Sequence, residues 1–122
     1  NSQVGPWSLR LAELRNEAPT LTGPAGYMKD FSAALCDACV DKVKATYLRI
    51  GKPRSLRAAG AIFFGTPYRM GTQLPIPEKT KPDAELWITM EGWDGSMHQA
   101  SIPLSQASPA TIDWLNKQGA KP

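Results

Sequence analysis

The chain has 122 residues, 42% of them hydrophobic and 20% charged. That is enough for one domain burying roughly 65% of its unfolded surface, and the balance argues against a disordered chain. No apolar run approaches the ~20 residues a membrane helix needs, and the net charge of +3 is too small to assign a partner by itself.

Taken in chain order, Trp7 to Leu14 alternates Trp7, Leu9 and Leu11 against Ser8, Arg10 and Ala12, the period of a half-buried strand. Asn16 to Gly26 holds Pro19, Gly23, Pro24 and Gly26 and reads as a loop. Tyr27 to Phe31 suits a second short strand pairing back on the first. Ser32 then has the chemistry of an N-cap, and Leu35, Cys36, Cys39, Val40, Val43, Tyr47 and Ile50 fall in one stripe at helical spacing. A main amphipathic helix is therefore expected from Ser32 to Ile50, ended by Gly51.

Ala58 to Phe64 fits a buried strand or a helical turn, and residues 65–84, broken by Pro75, Pro77 and Pro82, read as a long loop. Asp94-Gly95 supplies a two-residue type I′ turn for a hairpin over Glu85 to Leu104. Counting outward from it pairs Trp93 with Ser96, Glu91 with His98, Thr89 with Ala100 and Trp87 with Ile102, and sets Leu86, Ile88 and Met90 on the opposite face. Ser108-Pro109 opens a short C-terminal helix. The expected fold is α+β over residues 1–122: a small antiparallel sheet packed against one main amphipathic helix, with the C-terminal helix as a cover.

The charge distribution says more than its sum. Lys42 to Pro77 carries seven basic residues and no carboxylate, whereas the other seven bases share the flanks with all eleven acids. Lys and Arg without acidic neighbours neutralise phosphates and release counterions, and Phe63, Phe64 and Tyr68 could stack on bases if exposed. Lys42, Lys44 and Arg49 also serve as the polar side of the expected helix. Lys52, Arg54, Arg57 and Arg69 sit in glycine- and proline-broken chain with no evident structural duty, and a binding claim would be tested there first.

Cys36-Asp37-Ala38-Cys39 admits three readings. A redox pair wants a thiolate at a helix N-terminus, which Cys36 would lie beyond, with Asp37 and Asp41 opposing it. A zinc site wants four ligands, and two cysteines with one histidine would need a carboxylate or a symmetric dimer. The third reading is two small buried hydrophobes on the helix stripe.

His98 is the single imidazole, and a cross-strand pair with Glu91 explains it without catalysis. Trp87 and Trp114 are expected in the core. Trp93, beside the exposed turn, could anchor a partner. No GxxxxGKS/T, GxGxxG, GxSxG or HExxH motif occurs, so no catalytic residue, metal or cofactor is assigned.

The function expected is stoichiometric: an accessory or inhibitory protein, of the kind mobile elements and phages carry, docking through its basic segment on nucleic acid, a nucleoprotein or an acidic protein surface. One alternative is a structural subunit using Trp93 and the hairpin in a homo- or hetero-oligomer. The other is a CxxC thiol redox protein or dimer-shared zinc protein. Cysteines this close cannot staple distant parts of a fold, and no charged start leads into an apolar signal stretch, so the expected setting is cytoplasmic with no membrane partner.

Overall fold

The computed structural model describes residues 2–15, 17–55, 58–77 and 80–119. Among the described residues strand far exceeds helix, and the two α-helices are short and C-terminal. The fold is mostly β, and the expected α+β arrangement around one main helix is incorrect.

Two antiparallel sheets carry the architecture. The first runs in the order β1 (Ser2–Val4), β2 (Trp7–Glu13), β4 (Tyr27–Leu35), β8 (Arg69–Ile76), β7 (Phe64–Thr66), with β3 (Thr20–Leu21) pairing on β4. The second runs β10 (Met97–Pro103), β9 (Glu85–Gly92), β5 (Val43–Ile50), β6 (Ala61–Ile62). Leu9, Phe31, Ala33 and Leu74 from the first sheet and Leu48, Leu86, Ile88 and Met90 from the second join one buried cluster between them. Helices α1 (Leu104–Ala107) and α2 (Pro109–Gly119) follow the last strand and add Leu104, Ala107 and Leu115 to that cluster.

The alternation at Trp7 does form a strand, with Trp7 and Leu9 buried. It is joined to β1 through Gly5-Pro6, and the +60° φ of Gly5 is what the first position of a type II′ turn requires. A Cβ at Gly5 would also collide with the ring of His98.

The helix expected from Ser32 to Ile50 is replaced by the end of β4, a 3-10 turn over Asp37–Cys39, and β5. These elements reproduce a spacing of three by other means. The cysteines close the tight turn, where Cys39 N–H donates to the Cys36 carbonyl at 3.0 Å. A β-bulge between Val43 and Ala45 then inserts one residue, so Val43 and Thr46, three apart, are both buried. Beyond the bulge the strand alternates normally, with Thr46 and Leu48 buried and Tyr47 and Arg49 half-exposed.

Residues 65–84 are not a long loop either. Arg69–Ile76 is an eight-residue strand in the interior of the first sheet, paired with β4 from Ala33↔Met70 to Tyr27↔Ile76. Pro75 is tolerated because β7 covers only Arg69 to Gly71, leaving β8 an edge strand beyond that point, where a missing amide breaks no ladder.

The hairpin at Asp94-Gly95 forms with its register shifted by one residue. Gly92 N–H donates to the Ser96 carbonyl at 2.8 Å, so the loop is Trp93-Asp94-Gly95, with Gly95 at a φ of +87°, rather than two residues long. Met97 pairs with Glu91, His98 with Met90, Gln99 with Thr89 and Ser101 with Trp87. A slip of one flips every side chain of the strand. His98 therefore turns inward, edge-on to Trp7 at 4.9 Å between ring centroids, and does not pair with Glu91.

Candidate binding face

The shifted register decides which side chains share the outer face of the second sheet. Three rows cross it: Ala45, Glu91 and Met97; then Tyr47, Thr89 and Gln99; then Arg49, Trp87 and Ser101. The inward rows are Thr46, Met90 and His98, then Leu48, Ile88 and Ala100, then Ile50, Leu86 and Ile102. Trp87 thus lies on the outer face and is half-exposed, contrary to its expected place in the core. Trp114 does pack inward, its ring centroid 4.7 Å from that of Tyr27.

Cations gather on these aromatics. Lys44, the extra residue of the bulge, holds its ammonium 5.7 Å from the Trp93 ring centroid and 3.9 Å from the Glu91 carboxylate. Lys52, just past β5, sits 5.6 Å over Trp87. Each is a cation–π contact on a solvent-facing ring. Between them Arg49, which carries five donors, donates one N–H to the Ala58 carbonyl at 3.1 Å, its one side-chain hydrogen bond among the described residues. Gln99 donates to Thr89 at 3.2 Å. Trp93 is 67% exposed, and its amide is tied to the Lys42 carbonyl at 3.0 Å, which anchors the hairpin tip beside the start of β5.

Lys44, Arg49, Lys52 and Trp93 are thus collected on one face, with Lys42 beside its upper end. Arg54 is exposed in the connection after β5. Arg69 belongs to the other sheet, opposite Thr66 at the β7–β8 turn, and Arg57 lies outside the described residues. Phe63 is buried, whereas Phe64 and Tyr68 are exposed on the first sheet's β7–β8 hairpin rather than on this face. Among the described residues two acids of β9 share the face, Glu91 in its ion pair and Glu85 at the far end.

Residues 1–105 match the model of a family described as Uncharacterised conserved protein UCP029505. The chain belongs to that family. The match takes in every strand of both sheets and therefore the whole of this face. No curated protein and no solved structure matches the chain.

Tyr47 and Trp87 are the members of the face that the sequence reading missed. The signal for them was present as alternation, Tyr47 and Arg49 against Thr46 and Leu48, and Trp87 and Thr89 against Leu86, Ile88 and Met90.

The cysteines form a separate feature. Cys36 and Cys39 are joined as a disulfide across the turn from β4 to β5, so they are neither free thiols nor members of a helix stripe. Cys39 is fully buried. Cys36 opens on a cleft of about 440 Å³ that Arg10, Ala34, Asp37 and Tyr68 also line. Desolvation, and then the charge of the Asp37 carboxylate, push the Tyr68 phenol above its usual pKa. Among the described residues no three His, Cys, Asp or Glu side chains gather to hold a metal, and no helix is long and apolar enough to cross a membrane.

Proposed function

We propose that this chain is a non-catalytic binding protein whose outer sheet face, centred on Tyr47, Arg49 and Trp87, takes single-stranded nucleic acid. The observation that carries the reading is the cross-strand register placing Arg49 beside Trp87 and one row from Tyr47, with Lys52 over one ring and Lys44 over Trp93. Aromatic rings supply stacking platforms that accept any base, and flexible cations beside them neutralise the phosphates. A lysine ammonium moves off a ring at little cost when a base arrives, and it then meets the backbone. The same alternation of rings and cations suits an extended strand better than a duplex, whose bases are already stacked.

In this reading the protein acts stoichiometrically in the cytoplasm, where such strands occur, as an accessory or inhibitory factor. The test is titration of the intact chain with unstructured oligonucleotides at low and moderate salt, following tryptophan fluorescence. Binding that quenches tryptophan and weakens with salt supports the proposal. No binding at low salt removes it, and equal retention on an acidic polypeptide without quenching moves the function to an acidic protein surface.

A further inference from the structure

The two sulfurs of the Cys36–Cys39 disulfide are not equivalent. Cys39 is 0% exposed and belongs to the core cluster, while Cys36 is half-buried and forms part of a cleft wall with Arg10, Asp37 and Tyr68. The bridge closes a local turn at the crossover from one sheet to the other, and a ring of four residues offers little of the loop-closure stabilisation that long-range disulfides give. One partly exposed cysteine on a cleft wall joined to one sealed cysteine, three residues apart, is the arrangement thiol–disulfide exchange uses: attack falls on the outer residue and the inner one is kept as the leaving and resolving group.

We propose that Cys36–Cys39 is a redox-active disulfide, opened at Cys36 by the thiolate of an external thiol or dithiol that enters this cleft. The thiolate bonds to Cys36 Sγ and the Cys36–Cys39 bond breaks, its electron pair leaving on Cys39 as a thiolate that takes up a proton. The result is a mixed disulfide between Cys36 and the donor. A second thiol, that of the same dithiol or of a second monothiol molecule, then attacks the donor sulfur in that mixed bond and releases Cys36 as a thiolate, which is protonated in turn. Two electrons and two protons have passed from the two donor thiols to the protein, and the donor is left as a disulfide. Arg10 lines the cleft together with Asp37, so its positive charge offsets that carboxylate for an incoming thiolate.

The reaction is independent of the outer face of the second sheet and is tested apart from nucleic-acid binding. The folded, unmodified chain is incubated with reduced glutathione in one arm and with a reduced CxxC protein dithiol in another. Alkylation and intact mass then count the thiols, with near-ultraviolet circular dichroism reporting the fold. In at least one arm Cys36 is expected to be alkylated while the protein remains folded, and Cys39, freed at the same time but sealed in the core, to be alkylated once the thiol is removed and denaturant is added; the faster arm identifies the source of the thiol. Alkylation of Cys36 that appears only after denaturant is added overturns the proposal. With oxidised glutathione, Cys39→Ser should gain a mixed disulfide at Cys36, whereas folded Cys36→Ser should gain at least tenfold less at Cys39. Equal adducts on the two variants would also overturn it.

Discussion

The Lys29 ammonium lies 3.5 Å from the Glu13 carboxylate, and the two side chains are only 3% and 11% exposed. Lys29 also donates to the Arg15 carbonyl at 2.7 Å and to the Glu17 carbonyl. Glu13 accepts from the Ser108 hydroxyl, which in turn pairs with Thr111 at 2.6 Å. A charged pair on β2 and β4 is thereby wired to the start of α2. Breaking such a pair from one side strands the other charge in the interior at a cost of about 3–5 kcal/mol. Lys29→Met should therefore lower stability by about that much in urea unfolding, and Lys29→Met with Glu13→Leu should recover a substantial part of the loss. Equal stabilities for the single and double variants would show that the buried charge is not what costs.

The outer face predicts a division among the cations and rings. Trp87→Ala and Tyr47→Ala should each weaken oligonucleotide binding by about 1–3 kcal/mol with little change in its salt dependence, since each removes a stacking platform. Lys52→Ala should flatten the salt dependence by about 0.7 on a log–log plot, the value for one phosphate contact on a single strand. Arg69→Ala, on the other sheet, should leave both unchanged. Fluorescence titrations at four salt concentrations separate these outcomes.

Thr46 sits on the inward face at 2% exposure, and its hydroxyl has no hydrogen-bond partner among the described residues. A buried polar group left unpaired costs about 1–3 kcal/mol. Thr46→Val keeps the shape and removes the hydroxyl, so thermal unfolding should shift upward by several degrees. A lower Tm would mean that the hydroxyl is satisfied in solution.

At the hairpin tip the Asp94 carboxylate accepts from the Ser96 hydroxyl and amide, at 2.6 and 2.9 Å. These bonds hold its pKa below the usual carboxylate range. A depressed folded-state pKa means that the stabilisation is present above the range where a free aspartate titrates, and is lost as pH falls through the lowered value. Melts of wild type and Asp94→Asn between about pH 2 and 6 should converge at the acid end and differ above it. A constant gap across that range would place the effect elsewhere.

Parts of this fold were legible in one dimension. Trp7 to Leu11 and Leu86 to Met90 alternate cleanly because each strand buries one face, and Ser108-Pro109 opens a helix because its local chemistry suffices. Asp94-Gly95 marked the turn but not its length, since a two-residue and a three-residue loop place the same glycine at positive φ. His98 could not be assigned a side of the sheet until that length was known. The basic segment is visible as charge, yet a helix ended by Gly51 would set Lys52 apart from Lys44 and Arg49, and a strand stands there instead.

The amino-acid sequence by itself determined the hydrophobic alternation, the turn at Asp94-Gly95, the C-terminal helix and the carboxylate-free run from Lys42 to Pro77, because each rests on neighbours within a few residues. Only the tertiary structure decided that Cys36 and Cys39 close a turn between two sheets, that the bulge at Lys44 makes a strand imitate helical spacing, and that Trp87 meets Arg49 across a ladder. Those outcomes depend on pairing between segments some forty residues apart, and no local pattern distinguishes a bulged strand from an amphipathic helix until its partner strand is in place.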